Sequence, residues 1–187
     1  MEAAATNLPS IAGVIAEFRR ALDEPMRPPS NGVLALLLDL HHNNLVQWSR
    51  EDAARRDDAD DRAVAAAKRD IDALNTKRHE LVETIDAALA AGIDQAPAAP
   101  PTTESPAGAL DRLSVLVIRI SYTESAASSE RADRDLYAAR LPVLHQQLAL
   151  LQEALEALFD DVRAGRKRFL PYQSLKLYGP RAAGIRR

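Results

Sequence analysis

The sequence predicts an all-α fold: a bundle of about five helices with an irregular, basic C-terminal tail. Three observations carry this expectation. Of 187 residues, 35 are Ala and 25 Leu against 9 Val and 8 Ile, and Ala and Leu lose least on entering a helix. Apolar residues recur at the helical spacing of three and four in segment after segment. Pro- and Gly-containing stretches fall between those segments and not within most of them. The length suits one domain, residues 1–187, with a sizeable core.

In the first helix Ile11, Val14, Ile15, Phe18 and Leu22 share a face, and Pro25, Pro28 and Pro29 end it. The second runs from about Gly32 to Arg56, with Leu34, Leu37, Leu38, Leu45 and Trp48 on one stripe. The acidic run Asp57 to Asp61 closes it and offers caps and dipole-favoured charges to the third. That helix, about Asp60 to Ala91, is expected to bury Val64, Ile71, Leu74, Leu81, Val82, Ile85 and Leu89, with Gly92 as its stop. Residues 94–105, with Pro97, Pro100 and Pro101, form a loop. Ser105-Pro106 is an N-cap and first-turn pair for a fourth helix. This helix has two apolar faces, Leu110, Leu113, Val117 and Ile120 on one and Val115, Ile118 and Tyr122 on the other, leaving mainly Arg112 and Arg119 for water. A helix of that kind belongs in the middle of a bundle. The last, about Glu130 to Ala164, carries Leu136, Leu144, Leu148, Leu151, Leu155, Leu158 and Val162 inward, with a kink or break near Leu141 caused by Pro142. Its leucines admit either a homodimer seam or an intramolecular one. The tail is expected to pack through Phe169, Leu170, Tyr172, Leu175, Leu177 and Tyr178.

Composition excludes several chemistries. With no Cys there are no disulfides, thiolate metal sites or cysteine nucleophiles, which suits a reducing cytoplasm. No signal peptide or membrane span is evident, so a soluble, cytoplasmic protein is expected. The formal charge of −3 conceals an asymmetry. The last 25 residues hold eight Lys or Arg and no acid, leaving 16 basic against 27 acidic residues in the first 162. The basic residues favour the end of the preceding helix dipole, or fold Lys176 and Tyr178 over the bundle to close a site for an anionic ligand. Nucleic acid is not an expected partner, because the acidic body opposes a phosphate backbone.

One constellation is unusual. On the second helix His41, Asn44, Trp48, Asp52 and Arg55 fall on the apolar side, with Glu51 at its edge. On the third, Asn75 and Arg78 occupy stripe positions where Leu or Ala is ordinary. Leaving a buried charge unpaired costs on the order of 3 to 5 kcal/mol, so these groups satisfy one another or bind something. An antiparallel hairpin turning near Asp58 sets His41 level with Asn75 and Arg78. Eleven residues separate His41 from Asp52, roughly 16 Å along a helix, so the stripe is a wall and not a catalytic triad. Helix four offers Ser114, Ser121 and Glu124 on one face and Asp111 on the other, Asp111 being the natural counter-ion for a buried arginine. Such a network either specifies packing or lines a small-molecule site. No Glu-x-x-His, glycine-rich phosphate loop or Gly-x-Ser-x-Gly elbow is present, so no metal or other cofactor is expected.

Three blocks resemble a bacterial domain-of-unknown-function family of about 200 residues, a single-domain length, often met near glycosyltransferase or natural-product genes. They are Leu40-His41-x-x-Asn44-x-x-x-x-Trp48-x-x-Glu51-Asp52-x-Ala54-Arg55, then Lys68-Arg69-x-Ile71-Asp72-x-Leu74-Asn75-x-x-Arg78, and Ser105-Pro106-x-x-x-x-Asp111-Arg112-Leu113-Ser114-Val115-Leu116. Tyr172-x-x-Leu175-Lys176-x-Tyr178 is similar to the family's terminal segment. The chain departs from the pattern at Val46-Gln47, Ser49 and Pro142. The resemblance implies a helical bundle and supplies no reaction.

These readings define an expectation of a small-molecule enzyme of specialised or glycan metabolism, performing isomerisation, elimination or cyclisation without a cofactor. His41 is the expected general acid or base because its intrinsic pKa lies near neutrality, with Asp52 or Glu51 in a second proton-transfer or charge-stabilising role. Arg78 would hold an anionic or carbonyl group. Asn44 and Asn75 would orient the substrate, with Trp48, Asp111, Ser114, Lys176 and Tyr178 completing its surroundings. The alternative is a non-catalytic accessory protein whose buried network is structural.

Overall fold

The computed structural model describes residues 10–24, 32–55 and 60–174. Six helices follow in order: α1 (Ile11–Asp23), α2 (Val33–Ala54), α3 (Asp61–Gly92), α4 (Pro106–Ala127), the short α5 (Arg134–Ala138) and α6 (Leu141–Arg163). The all-α bundle is as expected, with an isolated parallel bridge between Pro101 and Arg168 among the described residues. Lys176, Tyr178 and the rest of the tail beyond Ser174 lie outside them.

Local chemistry accounts for the helix starts. Ser10, Asp60 and Ser105 cap α1, α3 and α4 by accepting from the backbone N–H three residues on. Pro106 opens α4, where its missing N–H has no intrahelical partner to lose. Pro142 produces a break and not a kink: α5 ends at Ala138 and α6 starts anew with Pro142 in its first turn. Gly165, at φ 69°, lets the chain reverse after α6, a left-handed conformation that costs a residue with a Cβ. Gly92 has no such role, because α3 runs into extended backbone at Ile93.

Helix α4 is central, packing against α1, α2, α3, α5 and α6. It buries Leu110, Leu113, Val117 and Ile120 on one face; on the other Ile118 is buried, Val115 half-buried and Tyr122 39% exposed, against expectation. Around it one core gathers Val14 and Phe18 from α1, Leu37 and Leu40 from α2, Ile85 and Leu89 from α3, and Leu155, Phe159 and Val162 from α6. On the other helices Leu136 and Val64, both expected in the core, face water at 64% and 39% exposure. Leu136 sits on the short α5, which buries nothing fully. Val64 lies where the tip of the α2–α3 hairpin projects beyond the bundle, residues 61–66 all being exposed.

A buried carboxylate ties the fold's ends together. Asp86 on α3 is 0% exposed; its Oδ1 accepts from Ala107 N in the first turn of α4 (2.9 Å) and its Oδ2 from Tyr172 N (3.0 Å). The C-terminal segment is further fastened by Phe169 N donating to Gln95 Oε1 (2.7 Å), Arg168 N to Pro100 O (3.1 Å) and Tyr172 packing on His79. Phe169 is buried as expected, but Leu170 is 79% exposed. Asp86→Ala strands two N–H groups and removes an anion from a helix N-terminus, so it is expected to cost about 2 kcal/mol in urea unfolding. Asp86→Asn, which can still accept once, should recover part of that.

Candidate functional site

A polar network crosses the core at the level of His41. The imidazole is 0% exposed and stacks on Phe18 of α1, with ring centroids 4.4 Å apart and planes within 4°. Its Nδ1 lies 2.9 Å from Ser114 Oγ on α4. Asn44, one helical turn on from His41, donates through Nδ2 to both Ser114 Oγ (3.1 Å) and Asp111 Oδ1 (2.9 Å). Arg78 of α3 closes the chain on Asp111: Nε donates to both carboxylate oxygens at 2.9 Å and a terminal nitrogen to Oδ2 at 2.5 Å. Asp111 is thus the arginine's counter-ion. It also lies beside Ser114 and not on a separate face, because residues three apart on a helix are neighbours.

Burial pushes the His41 imidazole down to about 4, aided by nearby His42 and partly offset by the Phe18 backbone. The ring is therefore neutral near pH 7. Ser114 Oγ accepts from Asn44 and has both a second lone pair and a proton for Nδ1, so the contact serves either ring tautomer. Nε2 makes no hydrogen bond of ordinary geometry.

Beside this network, between α2, α3 and α4, opens a cavity of about 300 Å³. Helix α2 lines it with Asn44, Gln47, Trp48, Glu51 and Asp52 and ends in Arg55 at its edge; α3 adds Arg78, and α4 Val115 and Arg119. The three oxygen or nitrogen atoms Asn44 Oδ1, Gln47 Oε1 and Trp48 Nε1 are buried without a hydrogen-bond partner among the described residues. All three belong to cavity-lining side chains. Charges are distributed unequally along the wall. Arg78 is committed to Asp111, and Arg55 to Glu51 at 2.6 Å. Arg119 is exposed and forms no ion pair among the described residues, and Asp52 stands at the solvent-exposed rim.

The site departs from expectation in four respects. His41 lies behind the wall and does not reach the cavity, since Phe18, Ser114 and the bundle core enclose it. Asn75 is not beside His41: its Oδ1 accepts from Gln47 Nε2 (3.1 Å), because the hairpin pairs about one turn further along α2 than an even turn at Asp58 places it. Ser114 and Asp111 support the wall without lining it. An even turn at Asp58 would also set Trp48 near Lys68 and Ile71; Trp48 instead meets Tyr122 of α4, ring centroids 5.6 Å apart, and Lys68 is solvated and paired with Asp72. Gln47 and Arg119 went unrecognised. Gln47 is three residues beyond Asn44 on the same wall, so spacing alone carried a signal, whereas Arg119 looks like an ordinary surface residue until α2 is set against α4. Asp86 was also missed, although it sits on the stripe of Val82 and Leu89.

The fold and site define a helical-bundle protein with a polar network across its core and a cavity at the network's open end. Residues 34–170 match the family described as protein of unknown function (DUF4254). The match spans most of the chain, and the protein belongs to that family. No curated protein and no solved structure matches it. No helix among the described residues is long and apolar enough to cross a membrane, and no group of three or more His, Asp or Glu is placed there to hold a metal ion.

Proposed function

We propose that this protein is a cytoplasmic small-molecule enzyme that performs cofactor-independent acid/base chemistry in the α2–α3–α4 cavity, on an anionic or carbonyl-bearing substrate of specialised or glycan metabolism. The observation that carries the reading is the set of three buried polar atoms, unpartnered among the described residues, on cavity-lining side chains beside two carboxylates and an arginine that forms no ion pair among those residues. Leaving such atoms unsatisfied costs about 1 to 3 kcal/mol each, which a ligand that draws these side chains toward the cavity returns. Arg119 binds the anion or polarises the carbonyl. Asn44, Gln47 and Trp48 orient the substrate, and Asp52 takes or returns the proton, with the Glu51–Arg55 pair beside it steadying the charge that develops. Isomerisation, elimination and cyclisation all begin with such a transfer. His41 serves as a positioning residue, holding Asn44 through Ser114. The rival reading, a non-catalytic accessory protein, is favoured by the pairing of His41, Ser114, Asn44, Asp111 and Arg78 into one continuous chain.

Trp48, the protein's sole tryptophan, reports on the site directly. Titrating sugar phosphates, uronic acids and 2-oxo acids should change its fluorescence for at least one class. In D2O the bound compound should then exchange a carbon-bound hydrogen for deuterium. Asp52→Asn should slow that exchange about a hundredfold or more while leaving affinity nearly unchanged. If no compound perturbs Trp48, or none exchanges hydrogen, the enzyme reading fails and the accessory one stands; exchange as fast in Asp52→Asn as in the unaltered protein removes Asp52 as the proton carrier.

A further inference from the structure

Trp48 and Arg119 border open space on two sides. A second cavity of about 480 Å³ has these two residues as walls in common with the polar one and lies between α4, α5 and α6, lined by Thr123, Tyr137, Val143 and Leu144. Its character is different. Among the described residues its charged members are Arg119 and Arg140, and Arg140 lies over the Tyr137 ring, 5.6 Å from its centroid. Val143, an apolar side chain, is 57% exposed at this wall.

Resting on the site proposed above, we infer that the ligand is an anionic amphiphile: a polar group lies among Asn44, Gln47 and Asp52, its anion meets Arg119 at the junction, and an aryl or short alkyl arm fills the chamber of Tyr137 and Val143. The walls that Trp48 and Arg119 give to both chambers, and the cationic, acid-free lining of the second, select this occupant. A purely polar ligand would leave that chamber empty, and a cation would meet two arginines.

The probes are hexyl phosphate, inorganic phosphate and hexyl glucoside, each titrated against Trp48 fluorescence with the full chain. Hexyl phosphate should bind at least about tenfold tighter than inorganic phosphate, because the arm is removed from water, and also tighter than the neutral glucoside, which carries the same arm. Val143→Asn, at an exposed position, should abolish the gain from the hexyl arm and leave inorganic phosphate unaffected. Ala139→Leu, which fills the chamber from its rim, should do the same by exclusion, while Arg119→Gln should weaken both phosphates. Equal affinity for the two phosphates, or a hexyl gain untouched by Val143→Asn and Ala139→Leu, overturns the inference. That result leaves the enzyme reading intact if deuterium exchange still depends on Asp52, so the two failures are separable.

Discussion

Asp111→Ala is expected to lower folding stability by about 3 kcal/mol, the cost of stranding a largely buried charge. Asp111 accepts from both Asn44 and Arg78, and its side chain is 11% exposed against 28% for Arg78. Removing the carboxylate leaves a guanidinium without a partner and an amide with one acceptor instead of two. Arg78→Met alone should cost somewhat less, because Asn44 still satisfies one oxygen of Asp111. The informative measurement is the double-mutant cycle in urea. Arg78→Met with Asp111→Ala should be markedly more stable than the sum of the single losses implies, since it strands neither charge. Additive losses would mean that the two side chains do not depend on each other, contrary to their bidentate geometry.

The second large effect is a loss of stability on acidification that belongs to His41. Its imidazole is held at about 4 in the native protein against 6.5 for an unperturbed one. Between these values the unfolded chain binds a proton that the native protein refuses, so stability is complete above about pH 6.5, declines as pH falls, and the loss is complete below about pH 4. The shift corresponds to about 3 kcal/mol. Carboxylates titrate in the lower part of the same window, so the comparison is with His41→Leu, whose unfolding free energy should lack this component. The imidazole resonance in native protein should titrate near pH 4. A midpoint near 6.5, or parallel pH profiles for the two proteins, would remove the claim.

Both predictions depend on residues that stood out because they broke an apolar stripe. His41, Asn44 and Arg78 occupy positions where the helical period calls for Leu or Ala, and Asp111 carries the charge an inward arginine requires. That much was legible, as were the helix starts at Asp60 and Ser105-Pro106, the break at Pro142 and the central place of α4. These features depend on interactions within a few residues, or on the apolarity of a helix all round. Which groups meet was not legible. The expectation set His41 beside Asn75 and Arg78, whereas it meets Phe18 and Ser114, and Asn75 meets Gln47. A displacement of one turn, about 5 Å along a helix, changes every partner in an antiparallel pair while leaving the apolar pattern intact.

The assignment of acid/base work moved for the same reason. From its intrinsic pKa alone, His41 is the best proton carrier in the chain. Enclosure by α1 and α4 removes it from the cavity and holds it neutral, and the carboxylates of Glu51 and Asp52 at the cavity wall take its place in the proposed chemistry. Arg119, which faces water on its own helix, becomes a wall shared by neighbouring cavities only because α2 crosses it on one side and α5 and α6 on the other.

By itself, then, the sequence determined that the chain folds as helices around α4 and that polar groups enter its core, because helical periodicity, capping and the cost of burying charge act locally or through composition. The tertiary structure alone decided that His41 is sealed behind Phe18, that Asp111 joins Arg78 to Asn44, and that the open space begins at Trp48 and Arg119. Those outcomes follow from the register and crossing of packed helices, which a shift of a single turn rearranges without altering any residue's preference for helix or core.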